Sequence, residues 1–242
     1  EARLALTEDK DDKRALQLQL AELRATALGD PEGAYAALES AFLDAPADVE
    51  LWDRLAAAAE GAGKHEDLAA AYDTAIEAGA LGEEDVAQLS ERVAEIYDVI
   101  LGTPAKAEKH HKRVLQHDPL HDRAFFSLKE LYTNAERWDD LQVIYRNRIA
   151  ETLDDEAKLE LLLQVCFLFE EILDDADLAI RSYQEVLELS PDHAPTRRAL
   201  ERLFRRSERW RDLVALLRQD LDAEDDDQKR LELTYEIGEL HE

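Results

Sequence analysis

Residues that disfavour helices are scarce in this 242-residue sequence, which contains 8 Gly and 6 Pro. Glycine and proline are the two residues least compatible with a helix interior, whereas Ala, Leu, Glu and Arg, which are abundant here, lose little conformational freedom in one. The composition therefore predicts an all-α fold. Cysteine is scarcer still. Cys166 is alone, which excludes a disulfide within the chain and a cysteine-based metal site.

Positive charge is also in short supply. The chain has 29 Lys and Arg against 57 Asp and Glu, for a net charge of −28. Nucleic-acid binding depends on basic side chains that neutralise phosphates, so we expect no nucleic-acid partner. No apolar run reaches the roughly 18 residues of a membrane span, and we expect no direct membrane insertion. The sequence leaves the compartment unknown, with the cytoplasm favoured over the periplasm.

Motifs that carry chemistry are missing. No glycines fit the G-x-G-x-x-G or G-x-x-x-x-G-K pattern of phosphate-binding loops. Pro119 interrupts the spacing between His117 and His121, and His111 occupies a core position, so the histidines predict no metal site. Carboxylates are so frequent that pairs of them carry no information about acid–base catalysis. We expect no catalytic residue, no cofactor and no metal, and therefore no enzyme.

What the sequence does contain is a repeat. The segment SERWRDL at 207–213 echoes AERWDDL at 135–141 and, more distantly, AGKHEDL at 62–68. Four sets of residues keep the same spacing of 72 or 73 positions: Pro46, Pro119 and Pro191; Ala34, Ala107 and Ala179; Leu68, Leu141 and Leu213; and Ala21, Ala94, Cys166 and Gly238. Agreement among independent columns predicts an array of similar structural units.

Each period divides into four helical segments. In the third period these are predicted at 161–173, 176–193, 195–208 and 210–221. The connections are short and polar, which places consecutive helices antiparallel. Asp177 and Asp192 lie near helix starts, where a carboxylate oxygen is expected to cap a free backbone N–H. The predicted double-repeat units are 14–86, 87–158 and 159–230, with partial flanking repeats at 1–13 and 231–242.

These residues resemble the tetratricopeptide repeat, whose signature is W-x₂-L-G-x₂-Y, then A-x₃-F, then P. Val93-Ala94 followed by Tyr97 matches the first element, and Ala107, His111 and Pro119 follow in order. The resemblance covers essentially the whole chain. It implies a right-handed α-solenoid of antiparallel helix pairs, with about six repeats plus partial ends, in a single domain over 1–242.

Three residues are assigned structural roles by this pattern. Trp138 and Trp210 are expected to begin the last helix of successive units as buried wedges against the neighbouring helix pair. Cys166 holds a small-residue packing position and is expected to be a buried, inert thiol. At the cut end of the array, Ile237 and Leu240 are expected to be exposed, which would allow self-association there.

The resemblance implies a non-enzymatic scaffold or adaptor that binds partner proteins or peptides on a concave groove. Family members that grip a chaperone's C-terminal carboxylate use Lys and Asn, and this chain has neither at the matching positions, so chaperone binding is not carried over. Glu170 is counted among the exposed groove positions. The predicted partner-binding residues are Glu91, Glu95, Phe126, Phe167, Arg198, Arg202, Arg205 and Tyr235. A regulatory sensor domain of a larger protein and a self-assembling structural spacer remain as alternatives.

One segment interrupts the acidic sequence. Residues 194–211 hold seven Arg against two Glu, a net charge of +5 that leaves −33 for the rest of the chain. Arginine binds carboxylates and phosphates through two parallel hydrogen bonds, so the segment is read either as a dock for an acidic ligand or as a partner of neighbouring acidic helices. Glu232, Glu236 and Glu239 are the acidic residues expected in the second case.

Overall fold

The computed structural model describes residues 9–240. The ends of the predicted flanking repeats, 1–8 and 241–242, lie outside the described residues. Within 9–240 the chain forms thirteen α-helices and no β-strand, which confirms the all-α prediction. The helices are α1 Lys10–Leu23, α2 Pro31–Asp44, α3 Val49–Ala62, α4 His65–Glu77, α5 Glu83–Glu95, α6 Pro104–His117, α7 Asp122–Asn134, α8 Trp138–Glu151, α9 Asp155–Phe167, α10 Ala176–Leu189, α11 Ala194–Arg206, α12 Trp210–Ala223 and α13 Asp227–Glu239.

The chain divides into two compact units, Glu1–Ile144 and Tyr145–Glu242. We call them unit 1 and unit 2. The boundary falls inside α8. From α1 to α7 each helix packs against the next one, and so does each helix from α9 to α13, as short loops between antiparallel neighbours require. The division into double repeats at 14–86, 87–158 and 159–230 stays a prediction.

The repeated prolines follow the end of every fourth helix. α2, α6 and α10 stop at Asp44, His117 and Leu189, and each is followed two residues later by a proline of the repeated column. Proline lacks a backbone N–H and its ring clashes with the preceding turn, so it cannot continue the helix. Two of these helices also begin with proline, at Pro31 and Pro104, where a missing N–H costs nothing.

The small-residue columns are buried except at Gly238, which is exposed. Ala21, Ala94 and Cys166 are at most 3% exposed. In unit 2, Cys166 packs with Leu162 and Val186, and burial raises the pKa of its thiol to about 12. A thiol of such high pKa is protonated at neutral pH and unreactive. Small side chains at these positions let the paired helices approach closely.

Three short π-helical segments extend α1, α5 and α9, at Arg24–Leu28, Ile96–Ile100 and Leu168–Ile172. They recur every 72 residues and each ends with a backbone bond spanning five residues, such as Leu101 N–H to the Ile96 carbonyl at 2.9 Å. The sequence offered no signal for them, because the three five-residue sequences share no residue pattern. Each π segment is followed by a residue with positive φ, at Gly29, Gly102 and Asp174.

The repeated ERW motif forms the turn between two helices. Glu136 and Glu208 adopt φ of 53°, and Gly63 adopts φ of 67° at the same point of the first copy. The next residue of each copy is basic, and its N–H closes the preceding helix: Arg137 N–H bonds the Tyr132 carbonyl at 2.8 Å. This bond and the positive φ define a Schellman C-cap.

The basic residue of the motif also clamps the start of the following helix. Arg137 Nε donates to Asp140 at 2.7 Å and Arg209 Nε donates to Asp212 at 2.7 Å, while Lys64 Nζ reaches Asp67 at 2.8 Å. The leucine after each aspartate is buried, at Leu68, Leu141 and Leu213. Each copy of the motif therefore caps the end of one helix, fixes the start of the next, and places a leucine of that next helix in the core.

The tryptophans of the motif are not the buried wedges that the sequence predicted. They do begin α8 and α12, but Trp210 is 43% exposed and Trp138 is only partly buried. The first copy has His65 here, also partly buried, so the site lies at the boundary with solvent. The buried tryptophan is instead Trp52, with 0% exposure and an indole Nε1 that donates to the Pro46 carbonyl at 2.7 Å.

Two further expectations need correction. α10 is capped by Asp175, whose carboxylate accepts the Leu178 N–H at 2.9 Å, and Asp177 lies inside the first turn instead. α11 starts after His193 and not after Asp192. At the end of the described chain Ile237 is buried against its neighbours at 9% exposure, so it offers no apolar surface for self-association.

Candidate functional site

The predicted partner-binding residues of unit 1 lie on α5 and α7. Glu91 and Glu95 are one turn apart on α5, and both are bridged from α7. His121 Nε2 lies 3.2 Å from Glu91 Oε1, and Arg123 Nη2 donates to Glu95 Oε1 at 3.2 Å. We call Glu91, Glu95, Arg123 and Phe126 the unit 1 surface. Its charges are paired across two helices, so it presents a fixed arrangement.

Phe126 is the apolar feature of the unit 1 surface. Its side chain is 55% exposed, although it belongs to a helix whose other large apolar residues are mostly buried. The ring meets the buried Phe125 edge to face, with centroids 5.6 Å apart and an interplanar angle of 73°. An exposed ring held by a buried one is a rigid anchor of the kind that protein interfaces use.

In unit 2 the candidate residues lie on α9, α11 and α13. Phe167 is 59% exposed on α9 and Tyr235 is 68% exposed on α13. Between them in sequence, α11 carries Arg198, Arg202 and Arg205, which all are exposed. We call these five residues the unit 2 surface. The exposure of the three aromatic residues in the two surfaces agrees with the helix register that selected them.

Arg202 is tied to a buried carboxylate. Its Nη2 donates to Glu170 Oε1 at 2.5 Å, and the Tyr183 hydroxyl donates to Glu170 Oε2 at 2.8 Å. The Glu170 side chain is 6% exposed, so the expectation that it faces solvent is wrong. It lies in the π-helical segment after α9, where α10 and α11 both reach it. Burial and the Glu170 hydrogen bond raise the pKa of Tyr183.

Most arginines of the 194–211 segment pair with carboxylates of unit 2. Arg205 contacts Glu201 at 3.1 Å and also Glu236. The other pairs are Arg197 with Asp220, Arg202 with Glu170, Arg206 with Asp174, and Arg209 with Asp177 and Asp212. Of Glu232, Glu236 and Glu239 on α13, which were the acidic partners expected, Glu236 is the one that pairs with an arginine of this segment. The segment thus neutralises neighbouring helices.

Arg198 and Arg211 differ from the other arginines of this segment. Among the described residues neither has a hydrogen bond or ion pair, and both side chains are exposed. Arg198 is therefore the one arginine of the unit 2 surface whose guanidinium is not already engaged by the protein. Sequence reasoning could not separate it from Arg202 and Arg205, since all three lie on one face of α11.

No group of three or more His, Cys, Asp or Glu side chains in the part of the chain that the structure describes is placed to hold a metal ion. Among the same residues, no helix combines the length and the apolar character that crossing a membrane requires.

Paired antiparallel helices, buried small-residue columns and helix-ending prolines define the chain as a tetratricopeptide-like helical-repeat array. No family model matches the sequence, and no curated protein matches it. Solved structures are similar to it at low identity. A tetratricopeptide repeat protein from Parabacteroides merdae is 15% identical, with a TM-score of 0.37 over 93% of this chain and 85% of that one.

Two other similar structures contain bound partners. The TPR2AB domain of yeast Sti1, in its pHSP90 complex, is 14% identical with a TM-score of 0.36, over 95% of this chain and 97% of that one. A chain of the Naa15/Naa10 complex bound to HypK-THB is 14% identical with a TM-score of 0.46; the match covers 93% of this chain and 34% of that one. These likenesses concern the fold.

Proposed function

We propose that this chain is a protein-interaction scaffold that binds partner proteins or peptides through the unit 1 and unit 2 surfaces, without catalysing a reaction. The observation that carries the proposal is the exposure of Phe126 on α7 and Phe167 on α9, at 55% and 59%. Each of these is the first helix of a pair of consecutive helices, α7 with α8 and α9 with α10. Aromatic residues and arginine dominate the binding energy of protein interfaces. Each surface combines such a ring with charged side chains that are already positioned.

The proposal is tested by alanine substitution at the exposed rings. Phe126→Ala and Phe167→Ala should each weaken capture of the physiological partner from the source cell by at least about tenfold, the size of a moderate hot-spot loss. Val143→Ala is the matched control, because Val143 is 55% exposed on α8, a second helix of its pair. Equal capture by all three variants would contradict the proposal.

Salt dependence separates the contributions of the rings and the charges. The surface ion pairs and the unpaired Arg198 act through electrostatic forces that salt screens over about 8 Å at physiological ionic strength. A partner held by the rings should lose little affinity between 50 and 500 mM salt, on the order of a few-fold. A much steeper loss of affinity with salt, together with an unchanged affinity in Phe126→Ala, would assign the binding to charge.

The sensor alternative depends on Arg198. Among the described residues an acidic ligand bound at 194–211 would find unpaired guanidinium groups at Arg198 and Arg211, and Arg198 is the one on the unit 2 surface, where Arg202 and Arg205 are engaged by Glu170 and Glu236. Arg198→Glu therefore tests ligand binding without breaking an existing ion pair. Arg202→Glu would also place a new carboxylate next to the buried Glu170. Self-assembly, the remaining alternative, predicts a mass above that of a monomer in light scattering.

A further inference from the structure

Histidine replaces aspartate at the start of two helices. The described helices whose N-cap is an aspartate accepting a backbone N–H are α1, α2, α3, α9, α10 and α13. α7 and α11 follow His121 and His193 instead. These residues are 72 positions apart, and Asp48, which caps α3, lies 73 positions before His121. The three N-cap positions are thus equivalent in the repeat, although the His193 side chain accepts no backbone N–H.

The contacts of His121 determine which ring nitrogen carries the hydrogen. The Ala124 backbone N–H donates to His121 Nδ1 at 3.2 Å, and Nε2 lies 3.2 Å from the Glu91 carboxylate. A backbone N–H only donates, so Nδ1 must present its lone pair and the ring hydrogen must be on Nε2, donating to Glu91. In this neutral tautomer both ring nitrogens are satisfied.

A second proton on the His121 ring has only Nδ1 to occupy. Protonation of Nδ1 places its new N–H opposite the Ala124 backbone N–H. The Ala124 N–H then has no acceptor on the ring. Protonation also adds positive charge at a helix N-terminus, where the helix dipole disfavours it, although the contact with Glu91 gains an ionic character. We propose that His121 is a proton-sensitive N-cap, which closes the first turn of α7 when the imidazole is neutral and releases it when the imidazole is protonated.

Each element next to this cap carries titratable or charged groups. They include Glu91 and Glu95 on α5, Asp98 in the following π-helical segment, His111 and His117 on α6, Asp118 in the connection, and Asp122 and Arg123 at the start of α7. Asp98 contacts His111 at 3.2 Å and Glu95 contacts Arg123 at 3.2 Å. Glu91 is the carboxylate in contact with His121.

Histidine suits such a device because its charge changes between pH 5 and 8, whereas an aspartate cap stays ionised over that range. The first turn of α7 carries Arg123, and Phe126 follows in the next turn. Release of the cap therefore acts on the part of α7 that holds the unit 1 surface. The chemistry of the cap goes beyond the proposed scaffold function and does not depend on it.

His193 provides a comparison within the same chain. Its Nδ1 lies 2.7 Å from the Thr196 hydroxyl, which is buried at the start of α11. A hydroxyl both donates and accepts, so it can turn and keep the contact after His193 gains a proton. We therefore expect α11 to be insensitive to pH where α7 is sensitive.

Nuclear magnetic resonance of the full chain tests the proposal without any partner. At pH 8 the imidazole ¹⁵N shifts should show His121 protonated at Nε2 and free at Nδ1. Between pH 8 and 5, exchange of the Ala124 amide, corrected for intrinsic rates, should accelerate about fivefold, the population change that loss of one typical N-cap produces. The Thr196 amide in α11 and the Glu50 amide in α3 should show no such change.

Variants identify the responsible group. His121→Asn keeps a capping side chain that does not titrate, and its Ala124 amide should retain the same protection from pH 8 to 5. His193→Asn should leave the pH response of α7 unaltered. Three results would each overturn the proposal. They are an Nδ1–H tautomer of His121 at pH 8, pH-independent exchange of the Ala124 amide in the unaltered chain, and the same loss of protection in His121→Asn.

Discussion

Glu136 and Glu208 hold a backbone conformation that favours glycine. Their φ of 53° lies in the left-handed region, which costs a residue with a Cβ about 1 kcal/mol or more. The first copy of the motif has Gly63 at this point, with open space around its Cα. The preceding helix must end at this position because the next helix starts two residues later. Glu136 and Glu208 therefore keep the left-handed conformation although it is unfavourable for a residue with a Cβ.

We predict that Glu208→Gly stabilises the protein by up to about 1 kcal/mol, since relief of the left-handed strain exceeds the flexibility that glycine adds to the unfolded chain. Glu208 is exposed and has no ion pair among the described residues, so no contact is lost. Urea unfolding gives the free-energy change. Gly63→Ala is the reverse control and should destabilise by a similar amount; a destabilised Glu208→Gly variant would refute this account of the motif.

The tryptophans should differ sharply in their effect on stability. Trp52→Ala empties a fully buried site and should cost about 3–5 kcal/mol. Trp210→Ala, at 43% exposure, should cost under about 1.5 kcal/mol, in proportion to its smaller buried area. Denaturation midpoints measured on both variants compare the sites directly. Equal losses would mean that the repeated motif tryptophan supports the core after all.

At the scale of helices and turns, one charge network joins α6, α7 and the turn before α8. Arg137 donates to Glu108 through Nη1 and Nη2 at 2.7 and 2.9 Å, and its guanidinium lies 4.7 Å from the Tyr132 ring centroid. Lys112 Nζ contacts the same carboxylate at 2.6 Å. The Arg137 and Lys112 hydrogen bonds outweigh the effect of burial and lower the pKa of Glu108 to about 2.

The lowered pKa of Glu108 determines how the stability of the protein changes with pH. Because the pKa of Glu108 falls from 4.5 to about 2 on folding, the network contributes stability above pH 4.5 that is lost as pH falls towards 2. We predict that Glu108→Gln lowers the free energy of unfolding by about 1–2 kcal/mol at pH 7, and that the deficit shrinks below pH 4.5. Unfolding titrations at pH 7, 4 and 3 measure it.

Glu66→Gln is the matched control for that prediction. Glu66 pairs with Lys106 at 2.8 Å, but its side chain is 68% exposed, and exposed pairs contribute about 0–1 kcal/mol. The variant should therefore be nearly neutral at every pH. A pH-independent deficit in Glu108→Gln would show that the loss comes from altered packing and not from the charge.

The sequence predicted those elements that depend on local residue types. Prolines at fixed spacing placed the ends of α2, α6 and α10, and the register implied by the tetratricopeptide resemblance identified Phe126, Phe167 and Tyr235 as exposed. It could not predict the π-helical segments or the cap that His121 supplies to α7, because neither has a residue signature. Nor could it choose among Glu232, Glu236 and Glu239 as partners of the arginines, since the choice depends on how two helices are rotated.

At the scale of the whole molecule, stability in a repeat array is a sum of unit and nearest-neighbour terms. We therefore predict that damage stays local. In Trp52→Ala, amide hydrogen exchange should accelerate strongly in α2, α3 and α4. It should change little in α10 to α12, which begin 124 positions after Trp52. Uniform acceleration in both units would show that the chain unfolds as one cooperative body.

The proposed scaffold function depends on contact between the first helices and another protein. Its most direct test is a photo-crosslinking amino acid placed at Phe126 or Phe167 in the source cell, with Leu43 on α2 and Val143 on α8 as exposed controls. We predict that one partner is cross-linked at each aromatic position and at neither control position. Cross-links at the controls alone, or with the same yield at all four positions, would contradict the central claim.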